Sequence, residues 1–376
     1  MKERVRVGLI FGGRSGEHEV SLMSAQGVMG AIDRGKYEVV PIGITKEGRW
    51  LASGDPMKAL SSGVTAESNP AALLAEPSQR GLMRLDEQEP ERALTAVPVS
   101  QLDVVFPILH GPYGEDGTVQ GLLELAGIPY VGAGVTASAV GMDKALFKDI
   151  MHAHGLPIVL HLVIKRQTWE QEPEKTVARI EAEIGYDCFV KPANLGSSVG
   201  ISKAHNRFEL CTALDEAARY DRKLIVEVAV DAREIEISVL GNDEPIASVP
   251  GEIVPCNEFY DYAAKYLDGK SEMLIPAPIP PETTNLVQQL AIQAYVAIDC
   301  AGMARIDFLF DRKTGEVYIN ELNTIPGFTP ISMYPKLWEA SGISYTELID
   351  RLIQLALERH ADTSRSATSY QVPERG

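Results

Sequence analysis

Strand and helix signals alternate down the first third of the chain, and this alternation restricts the fold more than any other feature. Val5–Phe11 reads as a buried strand ending in Gly12-Gly13, and Val20–Ile32 carries helix-compatible spacing. Tyr37–Thr45 is a second β-branched run. Asp103–Leu109 is a third strand, followed by a Gly-rich turn and a helix over Thr118–Ala126. Strands separated by helices predict a parallel sheet with crossover helices, an α/β unit. Residues 47–100, rich in Ser, Pro, Ala and Glu with weak periodicity, read as an insertion partly in loops.

The chain has 376 residues, too many for one ordinary core, so two or three domains are expected, and the order of elements divides it into three. The boundaries fall at 1–135, 136–232 and 233–360, with a polar tail at 361–376 expected to be disordered. The central unit should hold a helix at Lys144–His154, strands at Cys188–Lys191 and Leu224–Val230, and helices at Val177–Ile184 and Phe208–Tyr220. The third should hold the strand Glu234–Leu240, the helix Glu282–Asp299, a hairpin of Met303–Phe310 with Val317–Leu322, and the helix Tyr345–Arg359.

With 45% apolar residues such a chain can bury its cores without disulfides. Cys188, Cys211, Cys256 and Cys300 form no C-x-x-C pair and read as free thiols in a reducing compartment. A net charge of −17 disfavours nucleic acid as a partner. The apolar run at the N-terminus is too short for a signal-peptide core, and no stretch approaches the ~20 apolar residues of a membrane span. A cytoplasmic protein without a membrane partner is expected.

Four motifs could carry chemistry. In the hairpin MARIDFLF-DRKTG-EVYINELNTIPG, residues two apart share a strand face. Arg305 and Asp307 therefore point together, as do Glu321 and Asn323 on the next strand. Two carboxylates and an amide oxygen suit Mg²⁺, although an edge hairpin laced with salt bridges explains them equally well. The following Asn323-Thr324-Ile325-Pro326-Gly327 can bring backbone N–H groups close to a ligand. Second, Lys191 precedes the Gly/Ser loop Asn194–Gly200, which can fold over phosphates but is not a Walker A loop. Third, His110-Gly-Pro-Tyr-Gly-Glu-Asp-Gly117 stands at the carboxyl end of a strand, where open α/β sheets bind ligands. Gly12–Glu19 ends the first strand similarly. Fourth, Glu258–Tyr266 packs four aromatics among polar residues and reads as a surface loop or a lid.

Taken together, FGGRSGEHEVSL, LHGPYGEDGTVQG, GMDK, KPANLGSSVGI, EFYDYAAKY, RIDF and NELNTIPGFTPIS resemble, in this order, the D-alanine–D-alanine ligases of the ATP-grasp superfamily. The resemblance spans residues 11–332. It implies an N-terminal α/β domain, with ATP held between central and C-terminal α+β domains. It implies that Lys144 and Lys191 contact ATP phosphates under the loop bearing Ser197 and Ser198. Glu227 would meet the adenine amino group, Val230 the ring edge, Glu234 the ribose, and Phe259 and Lys265 the rest of the nucleotide pocket. Asp307, Glu321 and Asn323 would hold two Mg²⁺ ions, with Mn²⁺ as a substitute.

In the same resemblance Glu17 pairs with the ammonium of the first D-alanine, near His110. Ser197 and Tyr266 link to Glu17 and lock the lid. Arg305 and the Gly327 N–H form an oxyanion hole, and Ser332 and Met333 lie near the second D-alanine. The activity implied is ATP-dependent formation of D-alanyl-D-alanine through an acyl phosphate, for peptidoglycan synthesis, by a homodimer. The intact YDYAAKY argues against D-lactate as acceptor; D-serine is less well excluded. Val228-Ala229 departs from the aromatic often found at the adenine hinge. Another ATP-grasp carboxylate–amine ligase would keep the hairpin but not HGPYGEDG with EFYDYAAKY. A non-enzymatic nucleotide-binding regulator would be expected to lose one of the two hairpin acids.

Overall fold

The computed structural model describes residues 4–52, 54–63, 70–88, 93–196, 199–254 and 272–367. The first sheet runs Trp50–Leu51, Tyr37–Ile44, Val5–Gly12, Val104–Ile108, and its three long strands are parallel. Val7, Leu9, Ile10 and Phe11 are all fully buried, because helices cover both faces, as a parallel sheet requires. Val7, Leu9 and Phe11 pack with the helices His18–Ala31 and Tyr345–Thr363, while Ile10 packs with Val119 and Leu123 of the helix Thr118–Leu125.

The segment 47–100 is more ordered than its sequence suggests. Ala71–Leu73, Gly81–Gln88 and Ala93–Gln101 form a three-stranded antiparallel sheet. Ala71, Leu73 and Leu82 pack onto Ile42, Ile44 and Leu102 of the main domain. Among the described residues of these three strands only Gly81 and Met83 are buried besides them, so alternation is faint. Pro98 lies in the outer strand, where a missing N–H is tolerated.

The central sheet runs Ser202–Ala204, Cys188–Pro192, Lys223–Val228, His161–Lys165, antiparallel throughout. The helices Pro173–Glu183 and Arg207–Tyr220 bury Val177, Ile180, Leu210 and Leu214 against Val190, Leu224 and Val226. The last sheet centres on Ala232–Gly241 and Gly302–Asp311, with Val317–Asn323 beyond. The helix Pro281–Ala297 covers one face, packing Val287, Ala291 and Tyr295 on Ile235, Ile237, Ala304 and Ile306. Each aliphatic side chain so buried contributes about 1.5–3 kcal/mol relative to exposure, and this fixes which strand face is left for the cleft.

The C-terminal helix returns to the N-terminal sheet, with Leu348, Ile349, Leu352 and Ile353 fully buried. Tyr37 donates to Asp350 at 2.7 Å, and Arg359 donates to the Tyr130 carbonyl at 3.1 Å. This helix runs on to Thr363, past the expected start of the tail at 361. Ala361–Thr363 bury nothing, so the apolar periodicity stops before the hydrogen bonding does. Where the last sheet meets the N-terminal domain, Gly302 is at φ +71° and a Cβ there would stand 3.0 Å from the Gly132 nitrogen. Among the described residues no helix is long and apolar enough to cross a membrane.

Candidate active site

A cavity of about 680 Å³ lies where the N-terminal parallel sheet, the central sheet and the last sheet converge. The hairpin supplies its floor. Ala304, Ile306 and Phe308 point into the core, so Arg305 and Asp307 face the cavity. Arg305 pairs with Asn323 and Asp307 with Glu321 across the strands, and a bulge follows immediately. Arg305 places its fork on Asp307 with two hydrogen bonds of 2.7 Å, and its Nε lies 3.0 Å from Glu236 Oε2. Asn323 donates to Asp307 at 3.1 Å.

Lys144 caps the same floor. It begins the helix Lys144–Ala153, whose Asp143 N-cap accepts from the Leu146 N–H. The Lys144 ammonium donates to the Leu195 carbonyl at 2.9 Å and stands 3.3 Å from Glu321 Oε2. One turn further along, Lys148 reaches Glu227 Oε1 at 3.1 Å, while Lys191 reaches Glu227 Oε2 at 2.6 Å. Burial would raise the Glu227 carboxyl, but Lys148 and Lys191 outweigh it and hold it down at about 2. Burial pushes the Lys148 ammonium below its ordinary range, against the pull of Glu227. Val230 and Glu234 line the cavity beyond Glu227.

The opposite end is built by two glycine loops of the N-terminal domain. Ser21 ties them together, accepting from the Gly12 N–H at 2.7 Å and donating to the Ile108 carbonyl. Glu17 sits at the start of the helix His18–Ala31, where the helix dipole favours an acid. A Cβ on Gly111 or Gly196 would lie 3.0 or 3.2 Å from Glu17 Oε2, so loops from two domains close on this carboxylate because both carry glycine. Glu115 accepts from the Gly111 N–H at 2.6 Å and the Ile325 N–H at 3.3 Å. Burial, and then the neighbouring Glu17 charge, push its carboxyl up to about 8. His110 is buried at 4% exposure, and that burial lowers its pKa against the opposing Glu17 charge.

The loop carrying Gly327 is held from the N-terminal domain. His110 Nδ1 lies 3.0 Å from the Ile325 carbonyl, and the Phe328 N–H donates to Ser24 Oγ at 3.3 Å. Ser332 approaches Gly327 closely: a Cβ on that glycine would lie 3.1 Å from Ser332 Oγ. Met333 is turned away from the cavity, packed with Ile253 and Leu337. Glu17, His110, Lys144, Lys191, Glu227, Val230, Glu234, Arg305, Asp307, Glu321, Asn323 and Gly327 therefore share one cavity wall. Ser197, Ser198, Phe259, Lys265 and Tyr266 lie outside the described residues. Lys148, Glu236 and Ser24 are the residues that sequence reasoning missed, and Glu115, although part of the motif from His110 to Gly117, had no role assigned from it. The spacing of Lys144 and Lys148 on one helix face is the only one of these signals visible locally.

Among the described residues no three His, Cys, Asp or Glu side chains cluster as a metal site. The set at the hairpin is two acids and an amide, all hard oxygen donors. Such a set suits a divalent cation that takes its other ligands from phosphate and water. A cation on Asp307 would share that carboxylate with Arg305.

Two family models match the chain: D-ala D-ala ligase N-terminus over residues 6–133 and D-ala D-ala ligase C-terminus over residues 150–354. A D-alanine–D-alanine ligase of Heliobacterium modesticaldum is 53% identical over 368 residues, covering 98% of each chain. One from Thermoanaerobacter sp. is 54% identical, covering 96% of this chain and 99% of its own. Among solved structures, the D-alanine-D-alanine ligase of Coxiella burnetii aligns with a TM-score of 0.81 at 35% identity, over 96% of this chain and 97% of its own. The VanG D-Ala:D-Ser ligase of Enterococcus faecalis aligns with a TM-score of 0.83 at 35% identity, over 94% of this chain and 100% of its own.

Proposed function

The chain belongs to the D-alanine–D-alanine ligase family, with its three-domain ATP-grasp architecture, and we propose that it joins two D-alanine molecules at the expense of ATP. The observation that carries this reading is the polarity of one cavity, with Lys144, Lys148 and Lys191 gathered at one end and the half-buried carboxyls of Glu17 and Glu115 side by side at the other. Triphosphate suits the first, and an amino-acid ammonium suits the second.

The first D-alanine places its ammonium on Glu17 and its carboxylate toward the triphosphate. A carboxylate oxygen attacks the γ-phosphorus, the bond to the β-phosphate oxygen breaks, and ADP leaves. Lys144 and Lys191 offset the charge spread over the phosphate oxygens. Asp307, Glu321 and Asn323 would hold up to two Mg²⁺ ions, which supply charge neutralisation for the phosphates. The neutral amine of the second D-alanine then attacks the acyl carbon, the acyl–oxygen bond to phosphate breaks, and the leaving phosphate takes the proton the nitrogen sheds. Arg305 and the Gly327 N–H stabilise the oxyanion formed between those steps, for which one donor is worth about 3–4 kcal/mol in comparable sites. Glu234 takes the ribose, Val230 and Glu227 the adenine edge, and His110 and Ser332 the walls of the amino-acid site. Met333 would serve only through its backbone, since its side chain is packed in the core.

The product supplies cell-wall peptide synthesis in the cytoplasm, where ATP is available, and the working form is a homodimer. Likeness to a D-Ala:D-Ser ligase makes D-serine the alternative acceptor. ADP release with ATP and Mg²⁺, measured with D-alanine, L-alanine, D-serine or D-lactate, tests the reading. Turnover with D-alanine alone, yielding D-alanyl-D-alanine by mass spectrometry, is expected. Inactivity with D-alanine beside robust use of another carboxylate would overturn it. Formation of D-alanyl-D-serine at higher kcat/KM would reassign the acceptor.

A further inference from the structure

Glu227 has two cations and needs only one. Lys191 lines the cavity, so it can turn to a phosphate. Lys148 cannot: its side chain is 1% exposed, it does not line the cavity, and Glu227 is the one carboxylate within ion-pairing distance of it among the described residues. We infer that Lys148 is a positioning residue that sets nucleobase choice, by remaining as the counterion of Glu227 when the triphosphate draws Lys191 away. This rests on the reading above, in which Glu227 meets the nucleobase.

The chemistry follows from what each form of the acid can do. An ionised carboxylate only accepts hydrogen bonds, so it takes a 6-amino purine and repels a 6-oxo purine. A buried carboxylate stripped of both cations picks up a proton instead. Its O–H can then donate to a 6-oxo group, and the preference for an amino group is lost. Lys148 prevents this in the nucleotide complex. The pair is enclosed: Lys148 follows Lys144 by one turn, and Glu227 is held in the strand Lys223–Val228 between Phe189 and His161.

The test compares ATP with inosine triphosphate, which carries a 6-oxo group in place of the 6-amino group and a proton on the adjoining N1, at saturating D-alanine; the change between variants, not the wild-type ratio alone, reports on Glu227. Wild type should prefer ATP in kcat/KM by about 100-fold, the worth of one hydrogen bond to a charged group. In Lys148→Met the preference should fall about tenfold or more. The change should lie in KM for ATP, with kcat little altered. Lys148→Gln, which keeps a polar partner for Glu227 and so protects the fold, should lose the preference too, and Lys148→Arg should keep it. An unchanged ATP-to-inosine ratio in folded Lys148→Met or Lys148→Gln would overturn the inference. So would a wild type that does not discriminate, even with D-alanine turnover intact. Loss of D-alanine turnover in wild type would instead remove the reading beneath it.

Discussion

The two ends of the cavity solve opposite problems with the same residue type. At the nucleotide end Glu227 is enclosed with Lys148 and Lys191, and the acid is held down at about 2. At the amino-acid end Glu115 is enclosed beside Glu17, with His110 held toward its neutral form by burial, and the acid is pushed up to about 8. Burial opposes ionisation in both; the neighbours decide the outcome. One end sets two lysines on a single carboxylate, and the other sets two carboxyls side by side. Such a cavity complements a ligand pair whose phosphates and ammonium lie far apart.

The sharpest way to break the contrast is to remove cation from the nucleotide end. Lys191→Ala should cut kcat/KM by about 10³-fold, in the range of a lost electrostatic contact in a transition state. The fold should survive, because Lys148 still pairs with Glu227; steady-state kinetics beside a thermal melt check both halves. At the other end Glu17→Gln should raise KM for D-alanine about tenfold, since hydrogen bonds to charged groups are worth about 1.5–3 kcal/mol. KM for ATP should be unmoved in the same assay.

The pH dependence of stability sharpens the contrast further. Glu115 stays protonated in the fold up to about 8, while an unfolded chain ionises it near 4.5. It therefore takes stability away as pH rises through that window. Glu115→Gln should flatten the decline seen by urea unfolding between pH 5 and pH 8. Glu227 runs the other way: its contribution is full above 4.5 and is lost as pH falls toward about 2. The smallest effect is expected at Ser24, which joins the N-terminal domain to the Gly327 loop. Ser24→Ala removes the acceptor of the Phe328 N–H and should cost about 1 kcal/mol of stability, with a few-fold drop in kcat.

These cases also show what could be read from the chain beforehand. The hairpin was legible because its apolar positions alternate with Arg305, Asp307, Glu321 and Asn323, and alternation alone fixes the face. The parallel sheet was legible from the continuous apolar strands. Ser24 was not, because its partner Phe328 lies 304 residues away. Glu115 was read inside a glycine loop, yet its protonation depends on Glu17 in a different loop. Lys148 reads as one more polar residue on a helix until the strand bearing Glu227 is laid beside it. The strands at 71–101 were missed because little of them is buried. The strand His161–Lys165 carries only two buried residues, Leu162 and Ile164, too few to announce itself.

Removing the ammonium from the first substrate while keeping its carboxylate tests the polarity of the cavity most directly. ADP release should be measured with ATP and Mg²⁺ in the presence of D-alanine or of D-lactate, which carries a hydroxyl instead. The acidic end predicts turnover with D-alanine and none above background with D-lactate. Comparable kcat/KM for the two would contradict it.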